Sequence, residues 1–154
     1  MTDTAHSLSV KDVEGERYAH CIRVRQHMLY ADEPELSGGS DMGLAPYDFL
    51  LAGLGACTAI TLKMYASRHG LDLHHTTVEL RHEVQLSKDA RLDCFDRVIR
   101  LEGNLSDDER MQLMHVAEHC PVSQTLRKTS VIRTELAGVN PSNSANVPEM
   151  PSIQ

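Results

Sequence analysis

Pro46-Tyr47-Asp48-Phe49-Leu50-Leu51-Ala52-Gly53-Leu54-Gly55-Ala56-Cys57-Thr58-Ala59-Ile60-Thr61-Leu62-Lys63-Met64-Tyr65-Ala66-Ser67-Arg68-His69-Gly70 is the stretch whose reading decides the fold. From Phe49 to Leu62 it carries no charged side chain. Helix signals bracket it. The missing N–H of Pro46 costs nothing in a first turn, and Asp48 suits the positive end of a helix dipole. Lys63, Arg68 and His69 suit the opposite end, and Gly70 is free to take the left-handed conformation that stops a helix. About two dozen residues at ~1.5 Å each make a rod of roughly 36 Å. A helix apolar on every face is expected to be buried. Ala52, Gly53, Gly55, Ala56 and Ala59 let other backbones come close. Glycine costs about 1 kcal/mol against alanine inside a helix, so tight packing is the expected reason for it. One reactive atom, the Cys57 sulfur, sits midway along the rod.

Composition bounds the setting. With 154 residues and 41% hydrophobic content the chain fits one core-bearing domain. Aromatics are only 4%, with no Trp, so aliphatic side chains must fill that core. The formal charge of -7 argues against a nucleic-acid binder, which needs a basic face, and against docking on an acidic membrane. Residues 1–20 are polar and do not resemble a secretion signal. The apolar stretch falls short of the 18 or more uninterrupted apolar residues expected of a transmembrane helix. A soluble, cytoplasmic protein is the expectation, with one domain over residues 1–137 and a disordered tail over 138–154, where periodicity ends. The four cysteines, Cys21, Cys57, Cys94 and Cys120, form no CxxC pair. That excludes a zinc knuckle and a thioredoxin-type motif, and a chain of this size needs no disulfide framework.

Outward from the helix, strands are predicted at Leu8–Val13, Tyr18–Arg25 and Met28–Ala31, with turns at Glu14-Gly15 and Gln26-His27. In the second, Tyr18, Ile22 and Val24 share one face, and Cys21, Arg23 and Arg25 the other. Asp32 to Ala45 is a loop containing Gly38-Gly39. Beyond the helix, Thr77–Leu86 alternates cleanly: Val78, Leu80, His82, Val84 and Leu86 share a face. A loop through Lys88-Asp89-Ala90 leads to a strand over Cys94–Leu101, closing a hairpin against the central helix. Ser106 and Glu109 form a capping box for a helix burying Leu113, Val116, Ala117 and Cys120. Pro121 interrupts it, Val122–Leu126 forms a short helical piece, and Val131–Leu136 a last strand. Strands, helix, strands, helix, strand in that order make an α+β fold.

Thiols are the candidate chemistry. An unperturbed cysteine is only about 3% thiolate at pH 7, and apolar burial lowers that further. A functional Cys57 therefore needs a cation or donors aimed at its sulfur; Arg17, Arg23 and Arg25 are all candidates. Cys120, where one helix ends and another begins, stands at a helix N-cap, a place that favours thiolates. The bland reading of each cysteine is a buried small hydrophobe. A metal site competes weakly: His115 and His119 stand four apart, followed by Cys120, a face that suits zinc or copper. The set lacks the glutamate and third histidine of a metalloprotease. His74-His75 reads as a solvated strand entry. No glycine-rich phosphate loop or nucleophile elbow occurs; no cofactor is expected, and the metal site stays the weakest of the readings, with no metal expected.

The run Pro46 to Ala59 resembles the signature of the OsmC/Ohr family of osmotically inducible and organic hydroperoxide resistance proteins. Ala117-Glu118-His119-Cys120-Pro121-Val122 is similar to that family's second-cysteine motif, and Ala31-Asp32-Glu33-Pro34 with Gly38-Gly39 looks typical of one branch. The resemblance implies an intertwined homodimer with long central helices packed against antiparallel sheets. It implies a peroxidase selective for organic hydroperoxides, with Cys57 as the attacking thiolate and Cys120 resolving it through a disulfide. An external dithiol, of lipoyl type, would restore both thiols. The family's activating arginine corresponds to Arg17. Its orienting glutamate is replaced by Tyr47, leaving Asp48 one residue later as the nearest carboxylate; one residue turns a helix by about 100°. A slower peroxidase or a different thiol substrate follows if both are displaced. The other reading is a non-catalytic member of the fold that binds a small apolar or thiol-reactive ligand.

Overall fold

The structure, a computed structural model, describes residues 6–86, 91–128 and 130–135. The elements run β1 (Ser9–Asp12), β2 (His20–Val24), β3 (His27–Ala31), a 3-10 turn (Glu35–Ser37), α1 (Pro46–His69), β4 (Leu73–Leu86), β5 (Arg91–Gly103), α2 (Asp107–Glu118) and α3 (Pro121–Leu126). This is the α+β arrangement that the sequence predicts. One antiparallel sheet orders β1-β2-β3, and a second pairs β4 with β5.

The first sheet differs from expectation at its turns. Glu14-Gly15 turns, with Gly15 at φ +85°. The Val13 amide then donates to the Ala19 carbonyl (3.0 Å), so β2 opens at His20 and Tyr18 stays in the loop. Val24 pairs with His27, which makes the next turn Arg25-Gln26 instead of Gln26-His27. Two-residue hairpins favour positive φ, and Arg25 adopts +53° there; it is a turn residue, not part of a strand face. In the following loop the buried Asp32 carboxylate accepts the amides of Glu33 (2.8 Å), Ser40 (3.0 Å) and Met42 (3.1 Å). Burial pushes its pKa up, but these three amides and the nearby His20 more than offset that and hold it below the ordinary value. Gly39 is required: a Cβ there would lie 1.9 Å from the Glu33 carbonyl oxygen.

Helix α1 has 24 residues. The Ala45 amide donates to Asp48 Oδ2 (3.1 Å), and Gly70 closes the other end at φ +66°. All-round burial does not occur within one chain. Leu54, Thr58, Leu62 and Ala66, spaced four apart, form the buried stripe, while Leu50, Ile60 and Met64 are exposed. Gly55 does meet a neighbour, since a Cβ there would sit 2.8 Å from Leu80 Cδ1, but nothing lies within 4 Å of one at Gly53. With a mean hydropathy of 1.5, α1 is also long and apolar enough to cross a membrane by length and composition. Here it packs on β4, α2 and α3.

The second sheet is longer than predicted. β4 begins at Leu73, with His74 and His75 inside it, and β5 spans Arg91–Gly103. Val78 opposes Ile99, Leu80 opposes Arg97 and His82 opposes Phe95. Val84 and Leu86 continue the apolar phase of β4 but are exposed. The predicted loop at residues 88–90 lies outside the described residues. The Ser106–Glu109 capping box forms, with Ser106 N–H donating to Glu109 Oε2 (2.7 Å) and Glu109 N–H to Ser106 Oγ (3.3 Å). Leu62, Ala66, Leu113 and Ala117 make the core, flanked by Tyr65, Ile99, Leu101 and Val116. Residues 131–135 form no strand: Val131 and Ile132 are exposed, and an extended segment needs an adjoining edge to complete a ladder. Leu136 and residues 138–154 lie outside the described residues.

Candidate active site

Three elements bring the two motif cysteines to one place. α1 carries Cys57 and, next to it, the fully buried Thr58. Pro121 lacks an N–H and clashes with a preceding turn, so α2 ends at Glu118 and α3 begins anew. Cys120 sits in the break as the N-cap of α3, with extended backbone (φ -61°, ψ 145°), and its side chain is fully buried. The third element is β5. Its inward phase reads Phe95, Arg97, Ile99, Leu101, so an arginine takes a position otherwise filled by apolar side chains.

Arg97 Nη1 donates to Thr58 Oγ1 (2.7 Å) and reaches Cys120 Sγ (3.9 Å). Thr58 Oγ1 lies 3.6 Å from Cys120 Sγ and donates to the Leu54 carbonyl (2.7 Å). The other arm of Arg97, Nη2, donates to Glu118 Oε1 (3.4 Å). Glu118 Oε2 takes a second guanidinium, that of Arg127, whose Nε also donates to Ser123 Oγ (3.3 Å). The Arg97 side chain is only 9% exposed, so its charge acts where solvent screens little.

The Cys120 thiol feels two opposed influences. Burial raises its pKa; the Ser123 amide, the Thr58 hydroxyl, the Cys57 thiol and the Arg97 charge lower it, and together they prevail. No hydrogen bond of ordinary geometry caps α3 through this side chain, yet the Ser123 amide lies near enough to favour negative charge on the sulfur. Cys57 is thus a direct neighbour of Cys120, and both are free thiols. Beside this cluster runs a cavity of about 550 Å³ bordered by Leu54, Phe95, Arg97, Glu118, Ser123 and Arg127.

The other sequence candidates fall elsewhere in the chain. Arg17 lies in the loop after β1, its guanidinium 4.9 Å from the ring centre of Tyr18; among the described residues it has no hydrogen bond to either thiol. Arg23 is on β2 and Arg25 in the turn that follows. Asp48 caps α1 through the Ala45 amide. Tyr47 stacks on His82, ring centres 4.3 Å apart, and His82 in turn holds Asp93 at 2.9 Å. The trio His115, His119 and Cys120 does not converge. The two imidazoles lie side by side and His119 Nδ1–H donates to the His115 carbonyl (2.8 Å), while Cys120 faces inward. Among the described residues no three His, Cys, Asp or Glu are grouped to hold a metal ion. Sequence reasoning missed Thr58, Arg97 and Glu118. The available signal was Arg97 itself, a cation in the apolar phase of a strand.

Comparison with known proteins agrees with this picture. The profile of the OsmC-like protein family matches residues 38–135. An OsmC-like protein of Mycoplasma pneumoniae shares the fold at a TM-score of 0.69 and 18% identity, over 82% of this chain and 89% of that one. An organic hydroperoxide resistance protein of Legionella pneumophila follows at 0.63 and 17%, over 82% and 92%. The organic hydroperoxide resistance protein OhrB of Bacillus subtilis stands at 0.57 and 17%, over 80% and 90%. No curated protein sequence matches the chain. With both cysteine motifs inside the matched residues and the same fold in these relatives, the chain belongs to the OsmC-like protein family.

Proposed function

We propose that this protein is a thiol-dependent peroxidase that reduces organic hydroperoxides to alcohols in defence against oxidative stress. The observation that supports it most is the meeting of Cys57 and Cys120 in one cluster with a buried arginine and a hydroxyl. Cys57 is the more accessible sulfur and Cys120 is fully enclosed, so Cys57 meets the peroxide. Its thiolate attacks the distal oxygen, the O–O bond breaks, and the alkoxide leaves with a proton as an alcohol. Cys57 becomes a sulfenic acid. The Cys120 thiolate then attacks the sulfenyl sulfur; a disulfide forms and hydroxide leaves, protonated to water. An external dithiol of lipoyl type restores both thiols and is itself oxidised to a disulfide. The apolar α1 residues around Cys57 (Leu54, Ala56 and Ile60 among them) favour an alkyl peroxide over hydrogen peroxide, and a reducing, cytoplasmic setting suits free cysteines.

The same reading includes a homodimer. Val10, Met28, Leu29 and Tyr30 of the first sheet and Leu50, Ile60 and Met64 of α1 are exposed in one chain. A two-fold related copy laid across them would cover both surfaces.

The test is single-turnover oxidation by one equivalent of cumene hydroperoxide, with thiols counted and the disulfide located by peptide mass. Rapid loss of two thiols into a Cys57–Cys120 bridge is expected, and Cys57→Ser should abolish turnover. An unchanged rate in Cys57→Ser refutes the peroxidase reading. A second reading draws on the cavity beside Arg97, whose volume falls in the range of small-molecule sites: a non-catalytic protein that binds a small apolar or thiol-reactive ligand. Slow oxidation together with slow alkylation of Cys57 would favour it.

A further inference from the structure

From the position of Arg97 between Thr58, Cys120 and Glu118 we propose that the disulfide is re-reduced in one direction only: the external dithiol attacks Cys57, and Cys120 departs as a thiolate received by Arg97 and Thr58. This rests on the reading of the two cysteines as a redox pair. The argument is one of leaving groups. In thiol–disulfide exchange the sulfur that leaves is the one whose thiolate is better stabilised, and the sulfur attacked is the one the nucleophile can reach. Cys120 is enclosed, with a guanidinium nitrogen 3.9 Å and a hydroxyl oxygen 3.6 Å from its sulfur. Cys57 retains some exposure.

Thr58 serves as the relay. Its hydroxyl has one proton, given to the Leu54 carbonyl at 2.7 Å, and its oxygen takes the Arg97 N–H at 2.7 Å. When charge appears on Cys120, the O–H can turn to the sulfur, because the Leu54 carbonyl is also an ordinary helix acceptor. The Arg97 N–H on the same oxygen strengthens the bond given to the sulfur. Glu118 fixes the fork of Arg97 from the far side and is itself shared with Arg127. Arg97 is thus a positioning residue for the leaving thiolate. Its charge adds to the Ser123 amide, the Thr58 hydroxyl and the Cys57 thiol in favouring negative sulfur at Cys120 over burial.

The step balances as follows. The dithiol's first sulfur, as thiolate, bonds to Cys57 while the Cys57–Cys120 bond breaks and Cys120 takes the electron pair. The dithiol's second sulfur then displaces Cys57, yielding two protein thiols and one oxidised dithiol after proton uptake.

The experiment begins with a disulfide made by diamide, so that it does not depend on peroxide turnover. The oxidised protein is mixed briefly with excess glutathione, acid-quenched and alkylated, and the adduct is located by peptide mass. An adduct on Cys57 with Cys120 alkylated is expected. An adduct on Cys120, or equal amounts on both, overturns the inference even if peroxide turnover is intact. Arg97→Met should slow reduction by dihydrolipoamide about tenfold, the order of one charge-assisted hydrogen bond. It should lower the midpoint potential by about 30 mV, the equivalent of tenfold in the equilibrium constant. Arg97→Lys keeps the charge without the fork and should recover part of both. A loss of stability with unchanged potential and adduct position would make Arg97 merely structural. If diamide forms no Cys57–Cys120 bridge, the redox-pair reading fails and this inference with it.

Discussion

Thr58 offers the sharpest probe of the cluster, because its hydroxyl and its methyl group can be removed separately. Thr58→Val keeps the shape and removes the hydroxyl. Arg97 Nη1 then loses its 2.7 Å partner, and Cys120 loses the oxygen 3.6 Å from its sulfur. A hydrogen bond to a charged group contributes about 1.5–3 kcal/mol, and Thr58 is fully buried, so water does not replace it. A stability loss of about 1–3 kcal/mol is expected in urea titration. Thr58→Ser keeps the hydroxyl and removes one buried methyl group, costing about 1 kcal/mol. The two substitutions therefore cost similar amounts but part over the thiolate. The Cys120 pKa lies below its ordinary value, so its contribution to stability is fully present above the unfolded value of about 8.5 and is lost as pH falls through the folded value. Thr58→Val should raise the Cys120 titration and flatten the rise of stability with pH on that limb; Thr58→Ser should leave both in place. Thiolate absorbance in a background with Cys21→Ser, Cys57→Ser and Cys94→Ser, which leaves Cys120 as the one thiol, reads this directly when followed against pH. A Thr58→Val titration that superimposes on the wild type would refute the role given to the hydroxyl.

Other parts of the chain carry their own tests. Leu113 is fully buried in the core, and Leu113→Ala should cost about 2–5 kcal/mol in urea unfolding. Asp32→Asn replaces a carboxylate that accepts three amides and should be less stable at neutral pH. Because the Asp32 pKa is lowered, its contribution is present above the unfolded value of about 3.9 and disappears as pH falls through the folded one. Wild-type and variant unfolding curves should therefore converge in acid; a constant gap would mean the charge does not matter. Ile60 stands exposed on α1; on the proposed homodimer through this face, Ile60→Glu should lower the sedimentation coefficient from a dimer's to a monomer's, and an unchanged coefficient would refute that interface.

What the sequence discloses depends on how local the physics is. α1 was legible to the residue because proline, an acidic first turn and a terminal glycine act within a few positions. The Ser106–Glu109 box was legible for the same reason. The start of β4 was not, since His74-His75 lacks the apolar alternation that marks a strand, and its pairing with β5 is a long-range fact. The turn at Arg25 was misplaced because an arginine at positive φ has no propensity signature. Cys57 and Cys120 stood out through their surroundings, but the group that links them did not. Arg97 is forty residues from Cys57 in sequence, and only the register Leu80 opposite Arg97 turns it toward α1.

Tyr47 and Arg97 are two sides of one arrangement. An aromatic side chain at position 47 stacks on His82, and Phe95 lies against the same imidazole, ring centres 4.8 Å apart. Position 47 itself then offers no carboxylate to orient a guanidinium, Asp93 is engaged with His82, and Asp48 is occupied with the helix terminus. An arginine in the apolar phase of β5 still needs a counter-charge, because a buried, unpaired guanidinium is costly. Glu118 supplies it from α2, two residues before Cys120. The carboxylate is thereby tied in sequence to the cysteine whose charge the arginine stabilises. The same α2–Pro121 break that sets the Cys120 backbone therefore also sets the arginine fork. A shift of that break by one residue would turn Glu118 by about 100° around the helix and release Arg97 and Cys120 together, so electrostatics and backbone at this site stand or fall as one unit.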